Sequence, residues 1–278
     1  MQPISKAKLR GAIGNSITLL ICAVMLAPIV WGFSTSLKKP KDILAYPPEL
    51  IPSDPTLENY ALLFREGIAG PMLNSTLISG LTVVFCLFIG FLAAYAMARF
   101  EFRGKSLLLL LIVAVMSIPL PSLLVPTYTF LFHLGLLDTR VGLVLLYTAY
   151  QLPLAVWILY GYIGTLPEEL DRAAMIDGYS RMQIIAKIIF PLSRIGLIAA
   201  GLFILTFAWN DFIIAVIMNG AESGRTLPVA VFRFLGVFGR EWGPLTASSM
   251  LSVVPIIIIF ILFQRYFLSG VTGGSVKG

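Results

Sequence analysis

The chain has 278 residues, 58% of them hydrophobic and only 12% charged, with a mean hydropathy of +0.91. That is about half the charged fraction of an ordinary soluble domain, and so much apolar surface needs lipid as its solvent, which leaves room for one helical membrane domain, residues 1–278, and none for a separate soluble enzyme. The net charge of +6 comes without a stripe of basic and aromatic residues, so no nucleic-acid surface is expected, and Cys22, Cys86 and the single His133 have no spacing that suggests a metal site or a disulfide framework.

Lys6, Lys8 and Arg10 precede an uncharged stretch from Gly11 to Leu37. It exceeds the ~7–15 apolar residues of a secretory signal and reads as a retained first span. Further gaps between charges predict spans at Gly67 to Ala98, Ser106 to Phe132, Val141 to Pro167, Ile195 to Ala221 (interrupted only by Asp211) and Trp242 to Gln264. Each offers the ~20 residues that cross a hydrocarbon core, and backbone groups in lipid must pair within their own segment. The predicted fold class is therefore all-α, a polytopic bundle of about six transmembrane helices.

Orientation follows from the basic residues. With the N-terminus inside, the cytoplasmic segments hold Lys6, Lys8, Arg10, Arg99, Arg103, Lys105, Arg172, Arg181, Lys187, Arg194, Arg265 and Lys277, twelve of the 20. The short turn Arg99–Lys105 weighs most under the positive-inside rule. The tails 1–10 and 269–278 and the loop 165–191 are then cytoplasmic, and the loops 38–66 and 218–241 lie outside. Pro28, Pro119, Pro121, Pro126, Pro153 and Pro255 fall within spans, where each removes a backbone donor; packing kinks and gating both account for them. Gly90, Ala94 and Ala98, and Gly196 and Ala200, recur at four-residue spacing and let helices approach closely.

The loop 165–191 carries the chemistry. Thr165 and Glu168 have capping-box spacing, Glu168 and Glu169 suit a helix N-terminus, and Gly178 is a natural stop. This predicts a short helix from about Leu166 to Asp177, with Leu170, Ala173, Ala174 and Asp177 on one face. Two alanines make that face shallow, so a partner can approach its backbone. Ser180 and Gln183 repeat the capping-box spacing before an apolar stripe of Ile184, Ile185, Ile188 and Ile189 that leads to Pro191. An amphipathic loop lying on the membrane would have the same shape.

Two further features bear on function. Gly104-Lys105-Ser106 has the ending of a phosphate-binding loop, but Arg99 stands where that loop requires its first glycine. Asp211 is the only acidic residue inside a span, which by default marks function. Sixteen residues of helix from Ile195 place it about 24 Å along the span, toward the outer face. Trp209, Asn210 and Asp211 are candidate substrate-pathway residues; a buried polar cluster organising the outer half of the bundle fits equally.

The loop resembles the "EAA" loop of ABC importer permeases, in which Ala-Ala is followed by Gly and, nine residues later, by Ile-x-Leu-Pro. Ala173-Ala174, Gly178, Ile188, Phe190 and Pro191 match it, with Phe190 in place of Leu and Arg172 in place of the usual Glu. A salt bridge assigned to that Glu is not carried over. Asn74-Ser75, Pro126, Gly135-Leu136-Leu137-Asp138-Thr139, Trp209-Asn210-Asp211-Phe212 and the ending from Gly270 to Gly278 extend the resemblance to the maltose-transporter-like, six-span carbohydrate-uptake branch.

The resemblance implies a bacterial or archaeal inner-membrane permease subunit, not itself an enzyme, for a sugar or sugar derivative. It implies as partners a homologous permease, an ATP-binding cassette ATPase dimer that binds ATP and Mg, and an extracytoplasmic solute-binding protein touching the loop 218–241. No cofactor is implied in this chain. Glu169, Leu170, Arg172, Ala173, Ala174, Asp177 and Gly178 would form the ATPase-coupling helix, and Gly273, Gly274, Lys277 and Gly278 an ATPase-contacting tail. A stand-alone secondary transporter is the alternative. It would need coupling-ion sites and usually an internal repeat, whereas the spans hold one carboxylate and no clear repeat.

Overall fold

The computed structural model describes the backbone of residues 6–221, 224–235 and 241–273, and the side chains of 14–221, 224–235 and 241–264. Every regular element among them is helical. The chain divides into two compact units, 1–68 with 231–254 and 69–230 with 255–278.

In the first unit, α1 (Lys6–Ser36) carries no charge among its described side chains and is apolar from Leu19 to Phe33. Leu19, Leu20, Val24, Met25 and Phe33 are all more than half exposed, as lipid-facing side chains must be. Polar groups begin where it ends. Asn59, on α3 (Glu58–Arg65) beyond the short α2 (Pro40–Ile43), donates to the carbonyls of Ser36 and Lys38 at 2.8 and 2.9 Å. Lys38 is buried, with its ammonium 4.7 Å from the Trp31 ring centroid and bonded to the Glu49 carbonyl. The segment 38–66 thus caps the C-terminal end of α1, whose last carbonyls have no partner inside the helix.

The second unit is built around α4 (Ala69–Arg99) and α7 (Arg140–Gly164), between which come α5 (Lys105–Met116) and α6 (Leu120–His133). After α7 come α8 (Glu169–Ile176), α9 (Arg181–Ile184), a π-helical stretch Ile185–Ile189, α10 (Phe190–Leu192), α11 (Arg194–Asn210) and α12 (Ile213–Met218). The elements α13 (Leu227–Phe232) and α14 (Trp242–Gly273) complete the order. The small-residue spacing does what it predicts. A Cβ on Gly90 would lie 3.0 Å from that of Ala155, and one on Gly196 would lie 2.6 Å from Cγ of Tyr162. Ala94, Ala155 and Ala200 are fully buried, so α4, α7 and α11 meet nearly backbone to backbone.

Two predicted spans are not single helices. The third breaks between Met116 and Leu120 with a bend of 98°. Pro119 and Pro121 together withdraw two backbone donors from one turn, whereas the lone Pro153 stays inside an unbroken α7. The fifth ends at Asn210, and Asp211 is extended backbone before α12 begins. At its other end α11 meets the segment Arg181–Leu192 at a 75° bend. Among the described residues four helices are long and apolar enough to cross a membrane, and up to six spans result when that pair and the α5–α6 pair are each taken as one.

Candidate functional site

The helix of the loop 165–191 starts one turn later than its sequence suggests. Thr165 Oγ1 donates backward to the Tyr162 carbonyl (2.7 Å), closing α7, so the predicted capping box with Glu168 does not form. Helix α8 covers Glu169–Ile176 instead of 166–177, and Glu168 pairs with Arg172 at 3.1 Å on its exposed side. Glu169 and Asp171 occupy the first turn, where negative charge complements the helix dipole. Gly178 has φ +83°, the left-handed conformation that ends a helix without cost only for glycine. The second capping box is complete: Gln183 N–H donates to Ser180 Oγ, and the Gln183 side-chain Oε1 accepts from Ser180 N–H (2.7 Å). Pro191, lacking an N–H, follows a widened π turn in which Phe190 N–H reaches Ile185 O.

The faces of α8 differ from the expected ones. Ala174 is only 4% exposed and packs into a core of Phe91, Ala94, Tyr95, Leu159, Ile163 and Ile184. It is therefore unavailable to a partner. Ala173, Glu169, Arg172, Asp177 and Gly178 are exposed and Leu170 is half-buried. Met175 and Ile176 add a prominent apolar edge, Ile176 being 87% exposed. The sequence face of Leu170, Ala173, Ala174 and Asp177 thus splits into an anchored and a presented half.

What anchors α8 is an ion pair that spacing alone did not reveal. Arg99, the last residue of α4, donates from Nε to Asp171 Oδ2 (3.0 Å) and from Nη2 to the Leu166 carbonyl (3.0 Å). Tyr95 Oη donates to Asp171 Oδ1 (2.7 Å). Both charged side chains are about 95% buried, so each charge is paired where little water reaches it. Nearby, the Arg181 guanidinium sits 5.2 Å from the Phe100 ring, which meets Tyr95 edge-on. Asp171 lies seventy-two positions from Arg99, so the only signal was a charge at the end of a predicted span.

Asp211 has a structural part. Tyr147 Oη and the Ala215 N–H donate to its Oδ2 at 2.7 and 3.0 Å, which ties α7 to the first turn of α12. Trp209 is buried and Asn210 donates to the Thr206 carbonyl (2.8 Å). Of the three pathway candidates, Asn210 alone has an exposed side chain. These bonds form a part-buried polar cluster that joins α7, α11 and α12. Of the tail candidates, Gly273 ends α14, while Gly274, Lys277 and Gly278 lie outside the described residues. Among the described residues no three His, Cys, Asp or Glu side chains come together as a metal group.

At the other end of α4, Asn74 Nδ2 donates to the Arg225 carbonyl (2.9 Å) and Ser75 Oγ accepts from Leu227 N–H (2.8 Å). Asp138, at φ +57°, accepts from Ala221 N–H (3.0 Å) and donates its own N–H to the Met218 carbonyl (3.1 Å). The Asn-Ser and Gly-Leu-Leu-Asp-Thr segments thus hold the loop that follows α12.

Comparison with known proteins agrees with this geometry. The chain is 36% identical to the trehalose transport system permease protein SugB of Mycobacterium tuberculosis, over 93% of this chain and 95% of that one. It is 35% identical to the trehalose/maltose transport system permease protein MalG of Thermococcus litoralis, over 94% of each. A chain from the crystal structure of a bacterial ABC transporter involved in the import of the acidic polysaccharide alginate shares the fold. Its TM-score is 0.83 at 22% identity, over 96% of this chain and 100% of that chain. Residues 68–273 match one family throughout, and with the apolar helices, the α8 loop and these relatives they establish that the chain belongs to the binding-protein-dependent transport system inner membrane components, the multi-pass permeases of ABC importers.

Proposed function

We propose that this chain forms half of the translocation pathway of an ATP-driven importer for a sugar or sugar derivative. The observation that carries the proposal is α8, a short helix held by a buried ion pair that presents Ala173, Met175 and Ile176 outward. A helix that is firmly anchored on one side and apolar on the other suits docking into a partner's groove. The partner is a separate ATPase dimer that binds ATP and Mg, and this chain supplies neither. A second, homologous permease completes the pathway, and an extracytoplasmic binding protein delivers the substrate. Glu169, Leu170, Arg172, Ala173, Asp177 and Gly178 form the ATPase-facing surface, with Ala174 as its internal support. The tail Gly273 to Gly278 adds a second contact, and both termini lie in the cytoplasm. The carbohydrate class is supported by relatives named for trehalose and maltose transport, similar along nearly the whole chain.

The test is reconstitution. The chain purified alone should neither bind nor hydrolyse ATP. Co-expressed with its adjacent permease and an ATPase it should purify as a complex, and with its binding protein drive ATP-dependent uptake into proteoliposomes. Calorimetry of that binding protein against a sugar panel should find its ligand. Tight ATP binding by this polypeptide alone, or uptake that persists with an ion gradient and no ATPase, would overturn the proposal.

A further inference from the structure

We propose that α4 is a transmission strut that ties the ATPase-facing helix α8 at one end to the outer segment 225–227 at the other. The inference rests on the reading of α8 as the docking helix. At the α8 end, Tyr95 and Arg99 both hold the Asp171 carboxylate, and Arg99 also holds the Leu166 carbonyl. At the opposite end, Asn74 and Ser75 hold the backbone of Arg225 and Leu227. Asn74, Ser75 and Asp171 are each 2–3% exposed, so water cannot replace these bonds when they part, and a displacement of one partner is felt by the other.

Between its ends α4 is one unbroken helix of 31 residues. A rise of about 1.5 Å per residue separates Ser75 from Arg99 by about 36 Å, enough to cross the hydrocarbon core. Its last proline is Pro71, in the first turn, so no missing donor interrupts the hydrogen-bond ladder between the two ties. The neighbouring paths are different. The α5–α6 pair turns through 98° at its break, and α11 stops at Asn210, so displacements along either are absorbed at a joint. Helix α7 is unbroken too, and Tyr147 bonds it to Asp211, but among the described bonds the helix with side-chain ties both to α8 and to 225–227 is α4. By linkage, an event that moves 225–227 on the outside biases the position of α8 on the inside, and the reverse.

The experiment uses the complete transporter in proteoliposomes and reads the number of ATP molecules hydrolysed per substrate molecule taken up. Ser75→Ala weakens the outer tie, which Asn74 then holds alone, and Tyr95→Phe weakens the inner one. Each single variant should raise the ratio about threefold or more, the change that loss of one hydrogen bond makes in an equilibrium. The double variant should raise it by less than the product of the two singles, because both loosen the same strut. Two independent local defects would multiply instead. A wild-type ratio in either single variant, or a double equal to the product of the singles, overturns the proposal. If Tyr95→Phe does not assemble, Arg99→Lys replaces it, keeping the charge but losing the fork that spans Asp171 and Leu166, and the same outcomes decide. A wild-type complex that shows no ATP-driven uptake would instead overturn the functional reading, so the two failures are distinguishable.

Discussion

Ala173 and Ala174 are neighbours in the chain with opposite surroundings, one exposed and the other packed against Ala94 and Leu159. Large side chains at the two positions should therefore fail in different ways. Ala173→Trp leaves the core untouched; the variant should insert and melt like wild type, yet lose its ATPase in pull-down. Ala174→Phe should itself destabilise the loop by about 1–3 kcal/mol, as overpacking of filled cores does. Faster proteolysis between Thr165 and Pro191 in the isolated permease would report it, and equal protection of both variants would contradict the assignment of faces. Asp171→Ala leaves Arg99 buried without its counter-charge, and losing one partner of such a pair typically costs about 3–5 kcal/mol. Its loop should be the most protease-sensitive of the set. Gly178→Val forces a β-branched side chain into φ +83°, so ATPase attachment should fall although no span is altered.

Among the elements, the breaks matter most. Pro119 and Pro121 act together because each removes a donor and the pair leaves no intact turn between Met116 and Leu120. Pro119→Ala with Pro121→Ala should let α5 and α6 approach one helix. Spin labels at Leu108 and Phe130 should then move apart toward about 33 Å, the span of a straight helix over that interval; an unchanged distance would mean that tertiary contacts impose the bend. The other break has a different cause. Asp211 leaves the helix with its carboxylate bonded to Tyr147 and to the amide of Ala215. Asp211→Asn keeps an acceptor there, so ATPase attachment should remain at the wild-type level in pull-down whatever happens to uptake. The helices themselves were legible from uncharged runs, since lipid forces backbone pairing within each segment. Where they break was not legible, because proline counts do not distinguish Pro153, carried inside α7, from Pro119, which ends a helix.

For the whole molecule, the strongest expectation is the orientation that the basic residues imply. Tags inserted in Arg99–Lys105 and after Gly178 should report the cytoplasm, and tags near Asp54 and Asp138 the outside; a cytoplasmic signal at Asp138 would require the third and fourth spans to be redrawn. By itself the sequence determined the membrane class, the all-helical bundle, the close approach at Gly90 and Gly196, the turn at Gly178 and the second capping box. All of these follow from hydropathy, side-chain size or hydrogen bonds between residues a few positions apart. Tertiary structure alone decided which alanine of the pair is presented, that Asp211 joins α7 to α12, and that Arg99 and Tyr95 hold Asp171. Those bonds join residues sixty to eighty positions apart, and no local pattern specifies them; they exist because helices that approach nearly to backbone contact leave their remaining polar groups only one another as partners.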